Sequence, residues 1–144
     1  MIGPSELRIV RNADPSAPRQ LRQALRAFLD AFNIAPEFVE DVLLAVGEVV
    51  ANAVEHGYDG RRFNTIEMHV RAGPNDTLSV DVYDCGTFIE RERLPNRGFG
   101  LSIVRAIARD VTLDTGRGTR VEMIFDAGRL QRLASEHIPF RNGG

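Results

Sequence analysis

Apolar positions recur along the chain with two periods, and the changes between them divide it into elements. Leu21, Ala24, Leu25, Phe28, Leu29 and Phe32 return at three- and four-residue spacing, while Arg19, Arg22 and Arg26 fall elsewhere. That is the stripe of a helix lying on a core. Asp14-Pro15-Ser16-Ala17-Pro18 supplies its cap and first turn, and it should run through Phe32. Asn33-Ile34-Ala35 breaks the pattern, and Pro36 restarts it as a first helical residue. This second helix is predicted to reach about His56 and to stop at Gly57. At about 100° per residue, Val39, Val42, Val46, Val50 and Ala53 gather on one face, with Asp41, Glu48, Asn52 and Glu55 on the opposite side.

The period then falls to two. Glu6–Val10 reads as a short strand ahead of the helices. After them, Ile66, Met68 and Val70 alternate, Gly73-Pro74-Asn75-Asp76 turns, and Leu78, Val80 and Val82 alternate again. Cys85 to Arg97 shows neither period and reads as a loop. Gly98-Phe99-Gly100 leads into a helix over Leu101–Arg109, and Val111–Thr115 with Thr119–Asp126 forms a hairpin around Gly116-Arg117-Gly118. Beyond Gly128 one short helix is allowed before a polar end. The order β-α-α-β-β-α-β-β predicts an α/β sandwich, with helices on one face of a mixed, mainly antiparallel sheet. Without repeats or a long linker, 144 residues read as one domain, with its core over about 5–134 and a tail over 135–144.

Composition narrows the chemistry. A net charge of −2 offers no global field for nucleic acid or a membrane surface. Apolar runs such as Val42–Val46 are too short to span a bilayer, and no basic-then-apolar leader opens the sequence, so a cytoplasmic protein is expected. A lone cysteine, Cys85, excludes an internal disulfide framework and a multi-cysteine zinc site. All 18 basic residues are arginine. Without lysine there is no P-loop, no kinase fold of the eukaryotic protein-kinase type and no Schiff-base chemistry.

Three islands remain. In Glu48-Val49-Val50-Ala51-Asn52-Ala53-Val54-Glu55-His56-Gly57, the acid and the amide stand four apart, about 40° around a helix, and can address one ligand. An amide oxygen suits Mg²⁺, and a neighbouring carboxylate can orient or deprotonate a nucleophile. Alone, the pair reads more simply as a solvated helix face. Asp84-Cys85-Gly86 follows a strand directly. There an aspartate can accept from an exocyclic amino group and a glycine admits a flat ring, although an ordinary Asp/Gly turn has the same residues. Arg97-Gly98-Phe99-Gly100-Leu101 opens a helix whose free amides can cradle phosphate, and a plain flexible helix entry looks alike.

Taken together, and in this order, the islands resemble the ATP-binding domain of the GHKL superfamily, which includes gyrase and histidine kinases. Glu48–Gly57 resembles its N-box, Asp84–Gly86 its D-x-G box, Gly98–Leu101 its G-x-G box and Gly118-Thr119 its final G-T element. The resemblance covers nearly the whole chain. Its small size, the E-x-x-x-N-A-x-x-H-G form and the eleven residues between Gly86 and Gly98 look most like bacterial anti-sigma factor serine kinases.

The resemblance implies ATP and Mg²⁺ as ligands. It places Asn52 on the metal, Glu48 as base toward a substrate serine, Asp84 on the adenine amino group, Gly86 against the ring and Thr119 at the adenine end. Gly98 and Gly100, with Leu101 closing the motif, would lend amides to the phosphates. Arg97 and His56 would add charge there, though Arg97 also reads as a lid residue and His56 as a helix-terminal residue facing the dipole. The implied partners are an anti-sigma antagonist, phosphorylated on serine, and a sigma factor, with a homodimer compatible. One alternative is an ATP-binding partner-switch module that docks a phosphatase or regulator without phosphoryl transfer. A detached histidine-kinase catalytic domain is disfavoured, because no histidine precedes His56 and no room exists for a phosphoacceptor hairpin. The chain departs from many relatives at Thr87-Phe88, where a further glycine is usual, and this implies a stiffer lid; Cys85 reads as a small packing residue.

Overall fold

In the computed structural model, which describes residues 5–57, 64–84, 99–116 and 118–126, helices and strands follow the two periods. The elements are β1 (Glu6–Asn12), α1 (Ala17–Asp30), α2 (Pro36–Gly57), β2 (Thr65–Ala72), a 3₁₀ turn (Pro74–Asp76), β3 (Thr77–Asp84), α3 (Phe99–Ile107), β4 (Asp110–Asp114) and β5 (Thr119–Asp126). The expected loop over 85–97 and the short helix beyond Gly128 lie outside the described residues.

Local chemistry sets the boundaries. Asp14 Oδ1 accepts from the Ser16 amide at 2.9 Å and from the Ser16 hydroxyl at 2.6 Å, closing a turn that launches α1. These bonds hold the Asp14 carboxyl below its usual range. A depressed folded pKa contributes stability above the unfolded value and loses it as pH falls through the folded one, so this turn loosens in acid. The helix ends at Asp30 rather than Phe32, because the Ala31 and Phe32 amides turn back to Phe28 and Leu29 in a tighter last turn. Phe32 still meets Phe28, with ring centroids 5.2 Å apart. Between β2 and β3, Asn75 and Asp76 both take left-handed conformations, at φ 59° and 58°. Their short polar side chains tolerate that region better than most.

The strands form one five-stranded sheet in the order β1-β2-β3-β5-β4, with every neighbouring pair antiparallel. This is the mainly antiparallel sheet expected, and no parallel pair occurs among the described residues. α1, α2 and α3 pack side by side, α2 between the others, over one sheet face. Cross-strand rows on that face run Leu7–Val70–Val80–Met123–Val111 and Ile9–Met68–Val82–Val121–Leu113. The three middle members of each row are buried. Leu21, Leu25 and Leu29 of α1 and Val42, Val46 and Val50 of α2 complete the core. Phe125 stands edge-on to Phe38, centroids 6.3 Å apart, and ties β5 to the start of α2.

The opposite face is polar. It carries an Arg8–His69–Asp81–Glu122–Thr112 row, with Arg8 paired to Glu67, His69 to Glu6, and Arg120 to Asp81 at 3.1 Å. Alternating charge on one face and apolar side chains on the other are what a half-covered antiparallel sheet requires.

Candidate functional site

Helix α2 places the first island. Its wide buried stripe includes Phe38, Val39, Val42, Leu43, Val46, Val49 and Val50, which pin it against the sheet and its neighbours. Glu48 and Asn52 sit at one margin of the remaining face, one turn apart, and both are half-buried. Neither makes a hydrogen bond or ion pair among the described residues. An acid and an amide one turn apart, without partners among the described residues, are available to a ligand. His56 lies in the last turn of the same helix.

Asp84 is set by strand phase. Leu78, Val80 and Val82 alternate inward along β3, and Asp84 continues that phase, so its carboxylate points into the helix layer instead of toward water. It is 4% exposed. An acid in line with three core valine and leucine positions is costly unless it is hydrogen-bonded, and Asp84 does have a partner. Its register neighbours are Ile66 on β2 and Thr119 on β5. The pairing thus brings Thr119 beside Asp84. Ile66, fully buried, supplies an apolar side to the same spot; it was not singled out from sequence, although its alternation with Met68 and Val70 carried the signal. Gly118 precedes Thr119 at φ 70°, a left-handed turn that favours glycine and aims the chain into β5.

The third island begins α3. Gly100 lies in its first turn, followed by a half-buried Leu101, and Val104 and Ala108 anchor the helix in the core. Because α3 packs along α2, its amino end belongs to the same helix layer as Glu48 and Asn52. Gly86, Arg97 and Gly98, together with Cys85, Thr87 and Phe88, lie outside the described residues. Among the described residues, no group of three or more His, Cys, Asp or Glu side chains could hold a metal unaided. A single amide oxygen suits an ion that brings most of its ligands with it, as Mg²⁺ does with phosphate oxygens and water.

Residues 12–125 match the model of the histidine kinase-like ATPase domain. The chain belongs to that family. An ATPase domain binds ATP.

Among curated proteins, the anti-sigma F factor of Clostridium beijerinckii is 25% identical over 114 residues, covering 69% of this chain and 79% of the relative. The anti-sigma F factor of Clostridium botulinum is 25% identical over 116 residues, covering 71% and 80%. Among solved structures, the RsbU and RsbW domains of Rv1364c from Mycobacterium tuberculosis superpose with a TM-score of 0.69 at 24% identity, over 83% of this chain. This family member spans about a third (32%) of that longer chain. The histidine kinase domain of the Erythrobacter litoralis EL346 blue-light activated histidine kinase gives 0.61 at 21% identity, over 84% of this chain and 64% of that one. At these identities the structural likeness is one of fold. No helix among the described residues is long and apolar enough to cross a membrane.

Proposed function

We propose that this ATPase-family protein is a serine kinase of the anti-sigma type. It binds Mg-ATP, phosphorylates a serine on an anti-sigma antagonist and sequesters a sigma factor, acting in the cytoplasm. The observation that carries the reading is Glu48, a half-buried carboxylate without a partner among the described residues, one helical turn before Asn52, in a chain whose curated relatives include anti-sigma F factors.

Asn52 would hold Mg²⁺ through its side-chain oxygen, and the ion would neutralise charge on the phosphates. Asp84 would accept from the adenine amino group, Thr119 would support that end through its hydroxyl, and Gly86 would line the ring. The amides around Gly98, Gly100 and Leu101 would meet the phosphates, with Arg97 and His56 adding positive charge. Glu48 would orient the incoming serine hydroxyl and take its proton as the phosphoryl group moves from ATP to the serine oxygen. Phosphoryl transfer is mostly positioning and charge stabilisation, so one well-placed base suffices on the protein's side.

Incubation of the purified protein with labelled ATP and single-domain antagonists encoded nearby tests the reading directly. Label on an antagonist serine supports it; ATP binding with no transfer to any of them favours a partner-switch module that only docks regulators. The adenine assignment has its own test. Asp84→Asn should weaken ATP by about 1–3 kcal/mol, the cost of disturbing a buried hydrogen bond. Calorimetry that finds the affinity unchanged would remove Asp84 from the nucleotide site.

A further inference from the structure

The 22 residues of α2 include Glu37, Glu40, Asp41, Glu48 and Glu55 and no arginine or lysine, although the whole chain is only two charges negative. At about 100° per residue, all five carboxylates fall in an arc of about 100° directly opposite the buried stripe. Leu44 stands in the middle of that arc and is 50% exposed, among the most exposed large apolar side chains described. Ala51, two turns on, is exposed on the same line, and a Cβ at Gly47 would meet nothing within 4 Å, so the backbone is open to approach. Arg26 of α1 holds Glu40 at 2.9 Å, while Glu37, Asp41 and Glu48 find no cation among the described residues.

An acidic ridge with an apolar centre is complementary to one kind of protein surface, a basic one that carries an apolar side chain. We propose that the outer face of α2 docks the phosphoacceptor protein, and that the segment it receives is basic, with an apolar side chain seated on Leu44. This rests on the kinase reading, because Glu48 lies at the margin of the same face and the serine must pass close to it. Charge complementarity selects the occupant: unpaired carboxylates attract arginine and lysine and repel an acidic segment. Leu44 then supplies the desolvated contact that charges at a rim do not.

Two synthetic peptides of equal length serve as probes, each with one serine and one leucine, set among arginines in the first and among glutamates in the second. Binding is measured by calorimetry in Mg²⁺ with a non-hydrolysable ATP analogue. The arginine peptide should bind at least about tenfold more tightly, and lose about that factor in Leu44→Ala and in Asp41→Arg. Its affinity should also fall with added salt. Both substituted residues are exposed, so melting and analogue affinity should stay at the wild-type level. Equal binding of the two peptides, binding of neither, or indifference to Asp41→Arg overturns the docking face. Labelled ATP separates this from the kinase reading: transfer to either peptide regardless of flanking charge removes the docking face and keeps the kinase, whereas charge-selective binding without transfer does the reverse.

Discussion

Glu48→Gln should leave Mg-ATP and protein partners bound while phosphorylation of the antagonist serine falls by about 10²–10⁴-fold, the range for a positioned acid–base group. The substitution keeps size and polarity and removes only the basic oxygen. Glu48 is half-buried, and no hydrogen bond or ion pair among the described residues depends on its charge. Single-turnover transfer with labelled ATP, beside calorimetry of the nucleotide, separates the outcomes. Lost nucleotide affinity would make Glu48 a residue that builds the site, and full activity would take it out of the reaction.

Phe125→Ala should cost about 3–5 kcal/mol of stability, as large aromatic truncations in a core do. Phe125 is 1% exposed and stands edge-on to Phe38. Its ring joins the middle of the protein to α2, and the cavity left behind cannot collapse without moving that helix. Since domains of this size are stable by about 5–15 kcal/mol, the variant should lose a fifth of that margin or more. Urea unfolding followed by circular dichroism measures the loss. A cost below about 1 kcal/mol would show that the site closes up around the missing ring.

The architecture was legible because each element commits to one period. Leu21, Leu25 and Leu29 could only be a helix face, and Ile66, Met68 and Val70 only a strand face. The end of α1 was misplaced by two residues, since Phe32 stays in phase with the stripe while its amide has already turned back to Leu29. Periodicity sees side chains, and a tightening backbone is invisible to it. The strand order β1-β2-β3-β5-β4 was likewise hidden, because it depends on which edges meet, which no local pattern encodes.

For the site, the E-x-x-x-N spacing on α2 foretold a shared margin for Glu48 and Asn52. The inward turn of Asp84 was also written in the alternation of β3, once the phase is carried one step past Val82. Its meeting with Thr119 was not, because that rests on the pairing of β3 with β5 across 35 positions of chain.

The position of β1 has a consequence for the order in which the backbone becomes protected. Among the described residues β3 is flanked on both sides, whereas β1 is held along a single edge by β2, and that pairing joins Glu6 to Arg71 across the whole of α1 and α2. Closing so long a loop must wait until the later partner is in place. Amide hydrogens should therefore exchange fastest at the two rims, β1 and β4, and slowest along β3, as mass spectrometry after deuteration can read. A strand made before both long helices is thus locked only after them, and the carboxylate of Asp84 is carried at the end of the slowest-exchanging strand.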